Sequence, residues 1–130
     1  MPSELDLLRI EKLGNLISIS ATLLLLRAAS ISTEILILRQ KGINVKTNPT
    51  PSELVLVAVK MSVISSLLSV LTSGLRIEQV RRQIQSGVET VSIIPSTLVN
   101  VGAFYGLISN LYFLAASEIL VNREQQINIL

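Results

Sequence analysis

The chain has 130 residues, 49% of them hydrophobic and 15% charged, and its eleven Lys and Arg against nine Asp and Glu leave a net charge of +2. Ordinary soluble chains carry about 25% charged residues, so these values describe one unusually apolar domain, without the clustered cations that nucleic acid requires. With no Cys and no His, disulfides, thiolate chemistry, ordinary zinc sites and His-based catalysis are excluded.

Met1 to Lys12 mixes Glu4, Asp6 and Glu11 with Arg9 and Lys12. A cleavable signal peptide opens on a basic segment and ends at a small-residue cleavage site, so none is expected. The motif Pro-Ser-x-Leu occurs at Pro2, Pro51 and Pro95, each time before a long apolar segment. Proline at the first helical position has a preset φ and gives up an amide that lacks a helical partner anyway. Each motif therefore predicts a helix start, and Thr50 with Glu53 adds capping-box spacing at the second.

Gly42 and Gly87 are the predicted ends of the first two helices, because glycine accepts the left-handed conformation that closes a helix. The predicted helices are 3–41, 51–86 and 95–122, within a single helical domain spanning 1–130. Short β-branched stretches at 43–47 and 88–94, and the end of the chain at 127–130, read as extended tails. Helix plus tail would then repeat in degenerate form from residues 2, 51 and 95. Short connections make successive helices antiparallel neighbours. The tails at 43–47 and 127–130 then share one end, where pairing as strands within or between subunits is expected.

Each helix carries a seam of small residues. On the first it is Gly14, Ser18, Ala21, Ala28 and Ser32; on the second, Ala58, Ser62, Ser66, Ser69 and Ser73; on the third, Gly102, Gly106, Ser109 and Ala116. Two glycines one turn apart cost a helix about 1 kcal/mol each relative to Ala, and close approach of another helix is the usual return. Serine within an apolar helix can return its hydroxyl to the carbonyl one turn back, which lowers its cost there. The Leu-rich opposite faces then require cover from lipid or from further copies of the chain.

Residues 90–117 contain no charge, more than the ~20 residues that cross a bilayer. Helix one has 14 uncharged residues between Lys12 and Arg27, and helix two has 15 between Lys60 and Arg76. Those runs cover about 21 to 23 Å of a ~30 Å apolar core, with basic borders able to snorkel. In an antiparallel pair, Lys12 is expected level with Arg76 and Arg27 level with Lys60. Three features oppose a bilayer: cations divide almost evenly between the two ends, helix one continues through Arg27 and Glu34, and Glu4, Asp6 and Glu11 are expected to face Arg76, Arg81 and Arg82 as at a solvated bundle end.

Isolated carboxylates at Glu34, Glu53, Glu89 and Glu118, and the lack of a Gly-rich phosphate loop, leave no catalytic, cofactor or metal motif. Asn100 and Asn110 are candidates for hydrogen bonds between helices, and Arg27 with Glu34 for a contact between helices or subunits. The expected fold is all-α: three long antiparallel helices, close-packed through Gly, Ala and Ser faces, assembling as a homo-oligomer. The expected function is non-enzymatic, that of a self-associating structural subunit in or on a membrane. Its partners are other copies of itself and lipid, with no nucleic acid, cofactor or small-molecule substrate. The alternatives are a soluble homo-oligomer or filament whose apolar faces are buried between copies, in a cytoplasmic assembly, and a small pore-former of the holin kind with the serine seam facing its lumen.

Overall fold

The computed structural model of the chain describes residues 2–87 and 92–129, with side chains up to 127. It is all-helical: α1 (Glu4–Gln40), α2 (Pro51–Gln85) and α3 (Ile94–Ile129). Two capping boxes fix the first two starts. At α1 the Ser3 hydroxyl accepts from the Asp6 amide at 3.2 Å while the Asp6 carboxylate accepts from the Ser3 amide at 3.1 Å. At α2 the Glu53 amide donates to Thr50 Oγ1, and the Thr50 amide to the Glu53 carboxylate, both at 3.3 Å. A cap of this kind contributes about 1 kcal/mol.

The three Pro-Ser motifs are therefore not equivalent. Pro51 is the first residue of α2, whereas Pro2 precedes the cap Ser3, and Pro95 is the second residue of α3. Gly42 and Gly87 do close their helices, with φ of +79° and +91°. After α1 the Gly42 amide donates to Arg39 O at 3.0 Å and the Ile43 amide to Leu38 O at 2.9 Å, the paired bonds of a Schellman end.

α3 runs through Ile129, past the predicted end at 122. Nothing stops it there: after Asn122 come Arg123, Glu124, Gln125 and Gln126, good helix formers with no glycine or proline among them. The expected tail at 127–130 is thus helical as far as 129, and the tail at 43–47 has no strand partner; no strand forms among the described residues. The predicted tail at 88–94 lies largely outside the described residues, and its last residue, Ile94, already belongs to α3. In the third unit, therefore, no extended tail follows the helix as far as residue 129.

α2 packs against α1 on one side and α3 on the other, and among the described residues α1 and α3 do not meet. The helices form a row with two thin seams. On α1 the buried residues Leu7, Gly14, Ala21 and Ala28 recur at strict seven-residue steps, with half-buried Ile10, Ile17, Leu24 and Ile31 between them. That is the 3-4 spacing of helices meeting at a shallow crossing. α2 buries Ala58, Val59, Thr72 and Ser73 between its two neighbours.

Both pairs are antiparallel, but the stagger of α1 on α2 differs from the one that aligned basic residues would set. Gly14 lies against Leu68, whereas Lys12 level with Arg76 would put it opposite residue 74. The difference is six residues, about 9 Å along the helix. With Gly14 against Leu68 and Ser65, Lys60 lies nearer the level of Thr22 than of Arg27.

Candidate helix-packing and self-association surfaces

In the α1·α2 seam the buried positions of α1 beyond Leu7 are occupied by small residues. Gly14 is buried, as are Ala21 and Ala28, at 1% and 2% exposure. A Cβ added at Gly14 would stand 3.7 Å from Leu68 Cβ and 4.0 Å from Ser65 O. Ser65 Oγ donates to Gly14 O at 2.9 Å, a bond between helices that a residue much larger than alanine at 14 would hold apart. Ser18 is not in the seam. It is exposed on the outer side of α1, where its carbonyl accepts from Thr22 Oγ1 at 3.0 Å, while Ser32 is half-buried.

The α2·α3 seam is held by amides and hydroxyls. Asn110 Nδ2 donates to Ser66 Oγ at 2.5 Å and to Ser62 O at 3.3 Å, and Asn100 Nδ2 donates to Ser73 Oγ at 2.9 Å. Ser73 is 4% exposed. Ser62, Ser66 and Ser73 thus sit together on the side of α2 that receives α3, with both asparagines against them. On α3 the seam runs through Asn100, Ala103, Leu107, Asn110, Leu114, Ser117 and Val121, again at alternating steps of three and four.

Ser69 is exposed, in the middle of the α2 face that looks out between α1 and α3. There it floors a groove of about 430 Å3 with Thr72 and Ser73, walled by Glu11 and Arg76 on one side and Val99 and Ala103 on the other. Several hydroxyls among the described residues are already engaged with their own helix. Ser20 donates to Leu16 O, Ser30 to Leu26 O, Ser62 to Ala58 O, Ser69 to Ser65 O and Thr72 to Leu68 O, at 2.9–3.1 Å. A hydroxyl bonded in this way needs no water on the helix face that carries it.

Gly102 and Gly106 occupy the face of α3 turned away from α2. Both are exposed, and a Cβ at either would meet nothing within 4 Å. Ser109 lies on the same uncovered side. The chain therefore does not supply the helix that the glycine pair was expected to receive within it. The aromatics belong to no small-residue seam: all four, Phe104, Tyr105, Tyr112 and Phe113, lie on α3 and are 48%, 70%, 76% and 58% exposed. Their clustering within ten residues was the available signal.

Charges gather at the ends. Arg76 Nε donates to Glu11 at 2.7 Å with both side chains about one-third exposed. Among the described residues it is the one pair between helices of the kind expected there; Arg81 and Arg82 instead approach Glu78 of their own helix, at 3.5 and 3.8 Å, and Asp6 serves the α1 cap and lies 3.8 Å from Arg9. Arg27 and Glu34 are exposed and form no ion pair among the described residues. No three acidic side chains come close enough together to hold a metal ion, among the described residues. No known protein family, curated protein or solved structure matches the chain.

Proposed function

We propose that the chain is a non-enzymatic structural subunit that inserts in a membrane and associates with further copies of itself. The observation that carries the reading is the combination of three helices, each long and apolar enough to cross a bilayer, with almost no cover inside the chain. Only 11%, 17% and 0% of the most apolar windows of α1, α2 and α3 are buried. A row of three helices has no interior to receive Leu16, Leu23 and Leu26 of α1 or Leu67 and Leu71 of α2, all more than half exposed. In water, apolar area costs about 25 cal/mol per Å2, whereas lipid tails meet it at no such cost.

Two further observations support the reading. Serine and threonine hydroxyls on the outer faces bond carbonyls of their own helices, as hydrocarbon surroundings require. Helices of 35 to 37 residues are about 52 to 55 Å long. They exceed a ~30 Å core and carry their charged ends into the interface. Self-association draws support from the uncovered face with Gly102, Gly106 and Ser109, a small-residue surface suited to close helix contact.

The test is fractionation of the expressed protein without detergent, followed by an alkaline carbonate wash and cross-linking. Pelleting through the wash and a ladder of cross-linked multimers are the expected results. A protein that stays in the supernatant as a defined particle or filament refutes membrane insertion, and a membrane protein that cross-links only as a monomer refutes self-association.

A further inference from the structure

We infer that the outer face of α1 docks α3 of a second copy, in a parallel contact that joins pairs of chains into longer arrays. The inference rests on the membrane and self-association reading above, and adds to it a second surface, distinct from the glycine face. Contacts inside the chain set the relative depth of the two helices. Gly14 lies against Leu68 of α2, and Leu68 stands between Ser66 and Ser73, which receive Asn110 and Asn100 of α3. A residue of α1 is therefore level with the residue of α3 about 92 positions further along the chain. α1 and α3 run the same way, since both are antiparallel to α2. A bilayer holds every copy at one depth, so two chains inserted in the same direction bring α1 of one and α3 of the other together in parallel with these levels kept.

The two faces fit at those levels. On α1, Leu16, Ile19, Leu23 and Leu26 follow steps of three and four on the side away from α2, and each is more than half exposed. On α3, Ile108, Leu111, Tyr112 and Ala115 line a shallow concavity of about 280 Å3. Their spacing, i, i+3, i+4 and i+7, is that of the four-residue hole which receives one side chain of a facing helix. Ile19 is level with Leu111, in the middle of the hole. Leu16 is level with Ile108, and Leu23 with Ala115, the smallest residue of the rim.

Charge fixes the same register. Arg27 ends the uncharged run 13–26 of α1, and Glu118 ends the uncharged run 90–117 of α3. Their levels differ by one residue, about 1.5 Å. Both are exposed, and neither enters an ion pair among the described residues. α1 and α3 of one chain do not meet among those residues, so a second copy is what brings Arg27 to Glu118. Pairing there relieves two isolated charges at the edge of an apolar span, where each is costly. In lipid such a contact has no hydrophobic drive and rests on packing and the ion pair. It therefore acts between copies already joined at the glycine face, where the effective concentration is high. Because unlike faces meet, the contact is heterologous and each array keeps an open α1 and an open α3 unless it closes into a ring.

The experiment uses the full chain, which has no cysteine of its own, in phosphatidylcholine vesicles. Chains carrying Leu23→Cys are mixed with longer-tagged chains carrying Ala115→Cys and oxidised, and the disulfide-linked species are read by size. Mixed dimers in excess over both homodimers are expected. Arg27→Glu or Glu118→Arg, made in both chains, places like charges opposite each other and is expected to lower the mixed dimer roughly tenfold; the two reversals together restore it. Loss in both single variants without recovery in the double variant overturns the pairing, as does a mixed dimer that neither reversal changes. A Leu23→Cys homodimer in excess overturns it too, since α1 then meets α1. Multimers that persist in amine cross-linking while no mixed disulfide forms refute this contact alone. A chain released by carbonate, or one that cross-links only as a monomer, refutes the reading on which it rests.

Discussion

Replacing Gly14 by Ala and by Leu is expected to move stability in opposite directions. An alanine Cβ at this position would stand 3.7 Å from Leu68 Cβ, 3.9 Å from Leu68 Cδ1 and 4.0 Å from Ser65 O. All are ordinary van der Waals separations, so α2 need not move and the helix gains about 1 kcal/mol from the lost glycine. Leucine adds three carbons beyond Cβ in the space that Leu68 fills. Overpacking of this kind costs about 1–3 kcal/mol, and displacement of α2 breaks the 2.9 Å bond from Ser65 Oγ to Gly14 O, worth a further ~0.5–1.5 kcal/mol. The two variants are therefore expected to stand roughly 2 to 5 kcal/mol apart, on either side of the parent. Cysteines introduced at exposed Lys12 and Leu71, absent elsewhere in the chain, allow a dye pair to report separation of α1 from α2 during titration of mixed micelles with dodecyl sulfate. A Leu variant as stable as the parent, or an Ala variant as weak as Leu, refutes the packing argument.

At the outer face of α3, Gly102→Ile with Gly106→Ile is expected to abolish cross-linked multimers without lowering the dodecyl sulfate midpoint of the monomer, because nothing among the described residues lies within 4 Å of a Cβ at either glycine and isoleucine is the better helix former; persistence of the multimers places the self-contact elsewhere. Asn110→Leu removes the donations to Ser66 and Ser62 and is expected to weaken α2·α3 by about 0.6–2 kcal/mol, read from dyes across that seam; a rise in stability contradicts the role given to the amide. Gly42→Ala meets no atom within 4 Å but must hold a φ of +79°, at a cost of about 1–2 kcal/mol. Faster hydrogen exchange at the amides of residues 42 and 43 is the expected sign, and unchanged exchange argues against a conformational lock.

Local chemistry was the most legible part of this chain. Gly42, Gly87 and the Thr50–Glu53 box mark helix ends in the sequence because each acts through its own backbone or a neighbour three residues away. The Ser3–Asp6 box has the same spacing, yet Pro2 drew the reading toward a proline at the first helical position. Less was legible in the seams. α3 carries two rows of small and polar residues on different faces, one through Gly102, Gly106 and Ser109 and one through Asn100, Ala103 and Asn110. Which row meets α2 depends on what α2 presents, and the hydroxyls of Ser62, Ser66 and Ser73 satisfy asparagine amides better than glycines. The position of Ser18 outside the α1 seam has a related cause: Leu7, Gly14, Ala21 and Ala28 repeat at seven, and residue 18 falls off that line. That α1 and α3 do not meet among the described residues is not legible in the sequence, because a row and a closed bundle of three helices ask for the same apolar positions on α1.

The row has a consequence for how the chain comes into being. Among the described residues each helix–helix seam joins one helix to the next along the sequence, so each seam becomes available as soon as the following helix emerges from the ribosome, without waiting for α1 to find α3 across the molecule. Contacts of such low order form quickly, and synthesis from the N-terminus delivers them one at a time. α1 and α2 can pair before α3 exists, and α3 then docks on a hairpin whose serines are already in line.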